Sequence, residues 1–283
     1  MRGRQWRIAG RVVDLSRRGL IMGVLNVTPD SFSDGGKFFT AEKAVEHGLT
    51  MVADGAQIID VGGESTRPGA ESVAVEEELR RVVPVIKELR AKIDVVISID
   101  TWKAQVARAA IAAGASIVND VTGGRSDKEM MPLIAETKAA FIIIHMQGNP
   151  RTMQVDPRYV DVVSEVADFF RQQYARALDC GIDPMAIAFD PGIGFGKTLE
   201  HNIEMLAQIK RIRMHKRPLV VGVSRKSFLA KLTGSSEMND RLAPTVALTS
   251  LLRARGADVF RVHDVKENVN ALRVMEAIFQ KTK

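Results

Sequence analysis

Eight short apolar segments recur along the chain, and a stretch of helical character follows each of them. They are rich in Val and Ile and mostly lack polar and apolar alternation, which is typical of strands buried on both faces of a parallel sheet. Each gap between them is long enough for a crossover helix. The segments are LIMGVLN from Leu20, IIDVGG from Ile58, VVISID from Val95, SIVND from Ser116, AFIIIHM from Ala140, AIAFD from Ala186, LVVGVS from Leu219 and DVFRVHD from Asp258.

Strict alternation of eight strands with helices predicts an α/β fold, a closed (β/α)8 TIM barrel. No linker rich in Pro, Gly and Ser divides the chain, so we expect one domain over residues 1–283. An open doubly wound sheet is the alternative on this pattern. Before the first barrel strand, QWRIAGRVVDLS from Gln5 predicts a short N-terminal β-hairpin.

Glycines mark the ends of several predicted helices, because glycine readily adopts the left-handed conformation that stops a helix. Within RRVVPVIKELR, Pro84 predicts a kinked or divided helix, since proline removes a backbone donor. Three helices predicted to stop before a glycine cover residues 40–54, 101–113 and 157–180, ahead of Gly55, Gly114 and Gly181, the first with Thr40 as its cap.

The chain carries 40 Lys and Arg against 34 Asp and Glu, a formal net charge of +6. Such a balance fits nucleic acid or anionic small molecules as partners. The basic residues are scattered along helices beside acidic ones, as in EEELRR over residues 76–81, which favours solvated helix faces. We therefore expect small-molecule partners and no nucleic acid; a salt-dependent shift with DNA or RNA would support the alternative of a nucleic-acid-binding module.

Cys180 is the only cysteine, so the chain cannot form an intrachain disulfide, and a reducing compartment suits it. The basic N-terminus MRGRQWRIAG leads into no apolar core of signal-peptide length. No apolar run reaches the roughly 18 residues of a membrane-spanning helix. These features predict a cytoplasmic protein without membrane association.

Polar residues follow every predicted strand, at the end of a barrel where catalytic groups lie. Helix capping explains Asp100 before TWKAQVARAA as well as a functional role does. Arg261 and His263 lie two apart on one strand, so they share a face and form a cationic surface suited to phosphate. The complete set is Asn26, Glu64, Thr66, Arg67, Asp100, Asn119, His145, Asp190, Ser224, Lys226, Arg261 and His263.

Two predicted loops, NVTPDSFSDGG over residues 26–36 and GGESTRPGA over residues 62–70, combine turn residues with charged side chains. This mixture is typical of mobile active-site loops. A third segment, AIAFDPGIGFGKT over residues 186–198, suggests the phosphate-binding loop of a nucleotide hydrolase. That motif needs glycine at position 191, where this chain has Pro191, so the match fails. ATP or GTP hydrolysis lost in Lys197→Ala would restore that alternative.

The motifs NVTPDSFSDGG, GGESTRPG, SIDT, DPGIGFGK, SRKS and RVHD resemble, in this order, those of the dihydropteroate synthases of the folate pathway. The resemblance runs from about Leu20 to His263. It implies a (β/α)8 barrel that condenses 6-hydroxymethyl-7,8-dihydropterin pyrophosphate with p-aminobenzoate, releasing pyrophosphate with Mg2+ present. Pterin-binding methyltransferase domains share the fold but lack the first two motifs as a pair.

The resemblance also implies roles for individual residues. The pterin would be held by Asp100, Asn119, Asp190 and Lys226. The pyrophosphate would be bound by Asn26, Arg261 and His263, with Asn26 also a ligand of Mg2+. The p-aminobenzoate pocket, where sulfonamides compete, would consist of Thr66, Arg67, Pro68, Phe195 and Ser227. The residues expected to act in catalysis are Asp34, Lys226, Asp100 and Arg67.

The reaction implied by this resemblance is dissociative (SN1-like): pyrophosphate leaves first, and the arylamine then attacks a pterin cation. Asp34 on the first loop is the expected source of negative charge near that cation. Lys197 is expected at the rim of the site, and His145 and Met146 near the pterin. The resemblance further implies a homodimer.

Overall fold

The computed structural model describes residues 4–28, 41–65, 69–149 and 152–281. Its first element is the predicted hairpin, in which β1 (Gln5–Ile8) pairs antiparallel with β2 (Arg11–Asp14). Ala9 and Gly10 both adopt positive φ, 49° and 74°, which suits a two-residue hairpin turn.

Eight parallel strands form the barrel in the predicted order along the chain. The barrel closes between its sixth and seventh strands along the chain. A parallel bridge joins Phe189 to Leu219 there, and the Phe189 N–H donates to the Pro218 carbonyl at 3.0 Å. This closure excludes the open sheet. The strands are β3 (Leu20–Asn26), β4 (Ile58–Gly62), β5 (Val96–Asp100), β6 (Ile117–Asp120), β7 (Ala140–Ile144), β8 (Ile187–Asp190), β9 (Val220–Val221) and β10 (Val259–Val262).

Helices alternate with these strands across the described residues. They are α1 (Ala41–Ala53), α2 (Val75–Lys92), α3 (Ala104–Ala113), α4 (Met130–Thr137), α5 (Val162–Asp179), α6 (Leu199–Ala207), α7 (Ser227–Thr233), α8 (Leu242–Ala254) and α9 (Val265–Lys281). None of those within the described residues is both long and apolar enough to cross a membrane.

The helix bounds differ in part from the sequence-based expectation. Helix α2 runs as one element through Pro84, so it is not divided there. Helix α3 starts at Ala104 rather than at residue 101. Helix α5 starts later than residue 157 because the side chain of Asp161 accepts hydrogen bonds from the backbone N–H groups of Val163 and Ser164, both at 3.0 Å. The predicted stop of α3 is correct: Gly114 has φ of 120°.

The barrel interior has an apolar half and a polar half. Met22, Ile58, Ile117 and Val259 belong to one buried cluster with Trp6 and Leu15 of the hairpin segment. The indole Nε1 of Trp6 donates to the carbonyl of Ala186, just before β8, at 2.9 Å. The hairpin therefore covers the amino-terminal end of the strands, and the opposite end is left for polar side chains.

Candidate active site

The inward face of the barrel becomes polar toward the carboxyl ends of the strands. Residues two apart on a strand share a face, so the interior apolar residues identify their inward-facing neighbours. The inward pairs are Ile58 with Asp60, Ile117 with Asn119, Ala188 with Asp190, and Val259 with Arg261. Strand register places Asn26 beside Gly62, Gly62 beside Asp100, and Asp100 beside Asn119.

Arg261 is held between two carboxylates inside the barrel. Its Nε donates to Asp60 Oδ2 and its Nη2 to Asp100 Oδ2, each at 2.6 Å. Burial raises the pKa of Asp100 to about 7, although the Arg261 guanidinium acts in the opposite direction. Burial disfavours the charged guanidinium, but Asp60 and Asp100 keep the pKa of Arg261 above its ordinary value. The site thus combines the permanently charged guanidinium of Arg261 with the Asp100 carboxyl group, whose pKa is near neutral pH.

Asp60 is the residue that the sequence analysis missed. It lies in the middle of β4, is fully buried, and also accepts a hydrogen bond from Asn119 Nδ2 at 3.1 Å. The prediction took site residues from the ends of strands. A carboxylate inside the apolar run IIDVGG is also a signal of a buried functional group. Within the described residues, Asp60 Oδ1, Asn119 Oδ1 and Ser98 Oγ are buried without a hydrogen-bond partner. These atoms are available to a ligand that carries N–H groups.

Asp190 ends β8 and is 5% exposed. Its Oδ1 accepts from the backbone N–H of Gly192 at 2.7 Å. Burial raises its pKa, and the nearby Lys226 partly offsets that effect. A buried carboxylate in this position can accept two adjacent N–H donors side by side.

Lys226 lies on the segment after β9, half-buried, where it meets the segment after β8. Its Nζ donates to the carbonyl of Ile193 and lies 4.2 Å from the centre of the Phe195 ring. Burial lowers the pKa of Lys226 to about 8 against the influence of Asp190. Ser227 follows directly as the exposed first residue of α7. The structure therefore brings Lys226, Phe195 and Asp190 together, as the sequence analysis expected.

The three alternating positions after β8 require glycine because the backbone has positive φ at each of them. Gly192, Gly194 and Gly196 have φ values of 64°, 82° and 60°, a region that side chains disfavour. A Cβ at Gly192 would lie 1.9 Å from the carbonyl oxygen of His145, and one at Gly196 would lie 2.6 Å from that of Gln147. The segment packs backbone against backbone on the residues that follow β7.

Lys197 is buried at 2% exposure, so its expected place at the rim is wrong. Its Nζ donates to the carbonyls of Gly192 at 3.1 Å and Phe195 at 3.2 Å, and it lies 2.9 Å from His145 Nδ1. Burial lowers the pKa of Lys197 to about 7, and the charge of Lys226 adds to this effect. Burial also lowers the pKa of His145 well below its ordinary value, with Lys197 contributing.

Asn26, the last residue of β3, and His263, which follows β10, lie at the same end of the barrel. A Cβ at Gly62 would lie 3.8 Å from Asn26 Oδ1 and 3.5 Å from Asp100 Cβ, so Asn26 and Asp100 flank the space above Gly62. The backbone N–H of His263 donates to Ser224 Oγ at 3.1 Å, and the His263 Nδ1 lies 3.0 Å from that oxygen. Asp34, Thr66, Arg67 and Pro68 lie outside the described residues.

Lys103 bonds residues that come before and after Thr66, Arg67 and Pro68 in the chain. The Lys103 ammonium bonds Glu64 before those residues and the Val73 carbonyl after them, and it also bonds Glu78 of α2. Next to Glu64, a cavity of about 340 Å³ opens among the segments after β4, β5, β6 and β7. Its volume falls within the range of small-molecule sites.

The known proteins with a similar sequence reported below belong to one family. A family model described as "pterin binding enzyme" matches residues 22–263. The dihydropteroate synthase of Escherichia coli strain K12 is 47% identical over 270 residues, covering 95% of this chain and 94% of that protein. The dihydropteroate synthase of Synechocystis is 45% identical over 267 residues, covering 94% and 92%.

Solved structures agree with these relatives. Xanthomonas albilineans dihydropteroate synthase with 4-aminobenzoic acid has a TM-score of 0.91 at 43% identity, covering 98% of this chain and 99% of that one. The Yersinia pestis enzyme in a sulfonamide drug complex has a TM-score of 0.91 at 40% identity, with the same coverage. The Xanthomonas albilineans enzyme in complex with 7,8-dihydropteroate has a TM-score of 0.87 at 41% identity, covering 97% and 98%.

Proposed function

Because the chain belongs to the dihydropteroate synthase family of pterin-binding enzymes, we propose that it condenses 6-hydroxymethyl-7,8-dihydropterin pyrophosphate with p-aminobenzoate. The products are 7,8-dihydropteroate and pyrophosphate. The observation that carries this proposal is the group of buried acceptors on Asp190, Asn119 and Asp60 beside the Lys226 ammonium. Related enzymes hold 4-aminobenzoic acid and 7,8-dihydropteroate in their solved structures.

The pterin ring matches this group chemically. Its aminopyrimidine edge offers adjacent N–H donors, which the Asp190 carboxylate can accept side by side. The free Oδ1 of Asn119 is available for a further ring N–H. Lys226 supplies a donor to the acceptor side of the ring, and Asp100 completes the set. A wrong ligand without these N–H groups would leave the buried oxygens unpaired, which gives the pocket its selectivity.

The pyrophosphate is assigned to Asn26, Arg261 and His263 at the opening. The residues present fit a magnesium ion, because Asn26 offers an amide oxygen and Mg2+ usually combines one or two protein oxygens with waters and substrate phosphates. No cluster of three His, Cys, Asp or Glu that could hold a metal lies within the described ranges. The ion, when bound, neutralises charge on the phosphate oxygens.

The reaction breaks the bond between the pterin methylene carbon and the pyrophosphate oxygen. Both electrons leave with the oxygen, and a resonance-stabilised pterin cation remains. Arg261 and His263 stabilise the charge that develops on the leaving oxygen. The amine nitrogen of p-aminobenzoate then bonds to the methylene carbon and loses a proton to the released pyrophosphate or to water. We assign Asp34 as the negative group beside the cation, and no covalent bond to the protein is needed.

Phe195 and Ser227 form the wall of the p-aminobenzoate pocket in this proposal, together with Thr66, Arg67 and Pro68. The Phe195 ring is fixed by its contact with the Lys226 ammonium at 4.2 Å. Sulfonamides share the aniline group of p-aminobenzoate and compete for this pocket. The related Yersinia pestis enzyme in a sulfonamide drug complex supports this assignment.

A coupled assay with the pterin pyrophosphate, p-aminobenzoate and Mg2+ tests the proposal directly. We expect dihydropteroate to form and sulfonamide to inhibit its formation; absence of product contradicts the proposed function. Lys226→Ala should weaken pterin binding, whereas Arg67→Ala should mainly impair turnover with p-aminobenzoate. If both variants keep the parental kinetics, the residue assignments are wrong even if the activity is present.

We further propose a homodimer in the cytoplasm. Leu251 of α8 and Val274 and Ile278 of α9 are 44%, 62% and 60% exposed, although α8 and α9 pack against each other. Exposed apolar side chains on adjoining helices are typical of an interaction surface. Light scattering should give twice the 31.1 kDa chain mass, and Val274→Glu should shift it toward the monomer.

A further inference from the structure

The segment over residues 190–197, here called the glycine loop, is held together by side chains rather than by regular backbone pairing. Six consecutive carbonyl oxygens in it each accept a hydrogen bond from a side chain. The pairs are Gly192 and Phe195 with Lys197, Ile193 with Lys226, Gly194 with Gln154 at 2.6 Å, Gly196 with Tyr159 at 2.7 Å, and Lys197 with Asn202 at 3.3 Å.

Such external support is needed because the loop is rich in glycine. Glycine has the largest backbone freedom of any residue, so its conformation must be imposed by contacts. Gln154 is exposed, and Lys226 is needed for the pterin in the proposed function. Lys197 is 2% exposed and bonds two of the six carbonyls from inside the loop. Each of the other side chains bonds one of the six, so Lys197 is well placed to keep the loop's shape when the site is occupied.

The contacts of Lys197 lead directly to two groups of the site. The Gly192 carbonyl accepts a hydrogen bond from Lys197, while the Gly192 N–H donates to Asp190 Oδ1 at 2.7 Å. The Phe195 carbonyl, also bound by Lys197, belongs to the residue whose ring faces Lys226. Through these contacts Lys197 is connected to both the Asp190 carboxylate and the Phe195 ring.

His145 connects this arrangement to β7. Its Nδ1 lies 2.9 Å from Lys197 Nζ, and its backbone N–H donates to the Asp190 carbonyl at 3.0 Å. Its ring packs edge-on against Phe169 at a centroid distance of 4.9 Å. An imidazole Nδ1 accepts from an ammonium and donates to a neutral amine, so Lys197 keeps three hydrogen-bond partners in either protonation state.

We propose that Lys197 is a positioning residue for the condensation, which sets the glycine loop so that Asp190 meets the pterin and Phe195 meets p-aminobenzoate. This inference rests on the proposed function. In this proposal Lys197 acts through Gly192 and Phe195 and not by contact with either substrate. Its burial and its bonds to the carbonyls of these two residues favour this role over the matching role in a nucleotide hydrolase, direct contact of the lysine with phosphate.

The test compares Lys197→Met, which keeps the length of the side chain and removes its hydrogen bonds, with Lys210→Met at an exposed lysine. We expect Lys197→Met to raise the Kd for the pterin pyrophosphate and the KM for p-aminobenzoate by about tenfold or more, as loss of buried hydrogen bonds implies. Amide exchange at Gly192 and Gly194 should accelerate in the same variant. Lys210→Met should behave as the parent in each measurement.

A purely structural role predicts a different result. In that case Lys197→Met lowers the unfolding midpoint while Kd and KM stay parental, and this outcome overturns the inference. If Lys197→Met does not fold, His145→Phe keeps an aromatic ring but removes one partner of Lys197, and it should shift Kd and KM in the same direction by a smaller factor. Parental values in a folded His145→Phe then count against the inference.

The two proposals fail in distinguishable ways. If the parent protein forms no dihydropteroate, the proposed function is wrong, and the role of Lys197 is wrong with it. If the parent is active and Lys226→Ala weakens pterin binding while Lys197→Met retains parental Kd and KM, only the inference on Lys197 is wrong.

Discussion

Asn119 donates from Nδ2 to Oδ2 of Asp60 at 3.1 Å, and each of the two residues retains a buried oxygen without a partner within the described residues. Leaving a buried acceptor unpaired costs about 1–3 kcal/mol. Such atoms destabilise the fold unless a ligand or a buried water supplies the donors. The pair thus marks a place where N–H groups of a ligand can bind.

Asp60→Asn should weaken binding of the pterin pyrophosphate by about tenfold or more, because a hydrogen bond between charged groups contributes about 1.5–3 kcal/mol. The substitution keeps the shape of the side chain but removes the carboxylate that orients Arg261 Nε at 2.6 Å. Titration calorimetry measures the change. Asp94→Asn, at an exposed carboxylate two residues after the end of α2, serves as the control. Equal affinity in both variants would show that Asp60 has no part in binding.

The alkaline limit of activity should follow the charge of Lys226. Burial lowers the pKa of Lys226 from 10.5 to about 8, while Asp190 and Asp100 favour the ammonium and Arg261 opposes it. The ammonium is lost as the pH rises through about 8, so kcat/KM for the pterin pyrophosphate should fall there. Lys226→Arg does not titrate in this range, so its profile should stay flat to higher pH.

The expected fall in kcat/KM above about pH 8 can be distinguished from unfolding, because stability changes in the opposite direction. The pKa of Lys226 is depressed in the folded state, so between about pH 8 and 10.5 the unfolded chain binds more protons than the folded one. Stability from this group therefore increases with pH over that window. Activity that falls while the unfolding midpoint holds or rises supports the assignment to Lys226. A fall that persists unchanged in Lys226→Arg contradicts it.

The barrel was predictable, because buried parallel strands are apolar throughout. Polar residues at the ends of such strands stand out, and Asp190 and Lys226, selected in this way, lie close together in the structure. Asp60 was missed, because its place in the apolar run IIDVGG signals a buried carboxylate but does not identify Arg261, 201 residues away, as its partner. Only the folded barrel brings the two together.

The burial of Lys197 could not be predicted from the neighbouring sequence either. A lysine among glycines at the start of a helix is typical of an exposed residue, and nothing nearby in the chain signals burial. Its environment is created by His145, 52 residues earlier, and by the carbonyls that the glycines turn inward. The predicted start of α5 was wrong for a local reason: the Asp156 side chain, next to position 157, bonds Arg158, and Asp161 caps the helix instead.

The hairpin should contribute to stability through Trp6 rather than to catalysis. Trp6 is fully buried and donates to the Ala186 carbonyl at 2.9 Å. Trp6→Ala should lower the free energy of unfolding by about 3–5 kcal/mol, and Trp6→Phe by about 1 kcal/mol through the lost hydrogen bond. Urea denaturation measures both. Val12→Ala, at a residue 46% exposed on the same hairpin, should change little. A small effect of Trp6→Ala would mean that the barrel does not depend on this cover.

Gly192→Ala and Gly234→Ala separate backbone strain from steric overlap. Both positions have positive φ, 64° and 72°, so each substitution incurs about 1–2 kcal/mol of left-handed strain. At Gly234 a Cβ meets nothing within 4 Å, whereas at Gly192 it would lie 1.9 Å from the His145 carbonyl oxygen. Gly192→Ala must therefore move the glycine loop away from β7, and Asp190 with it. We expect a larger loss of stability and at least about a tenfold loss of pterin affinity, measured by urea denaturation and calorimetry. Equal losses in the two variants would mean that the close approach of Gly192 to His145 has no role in placing Asp190.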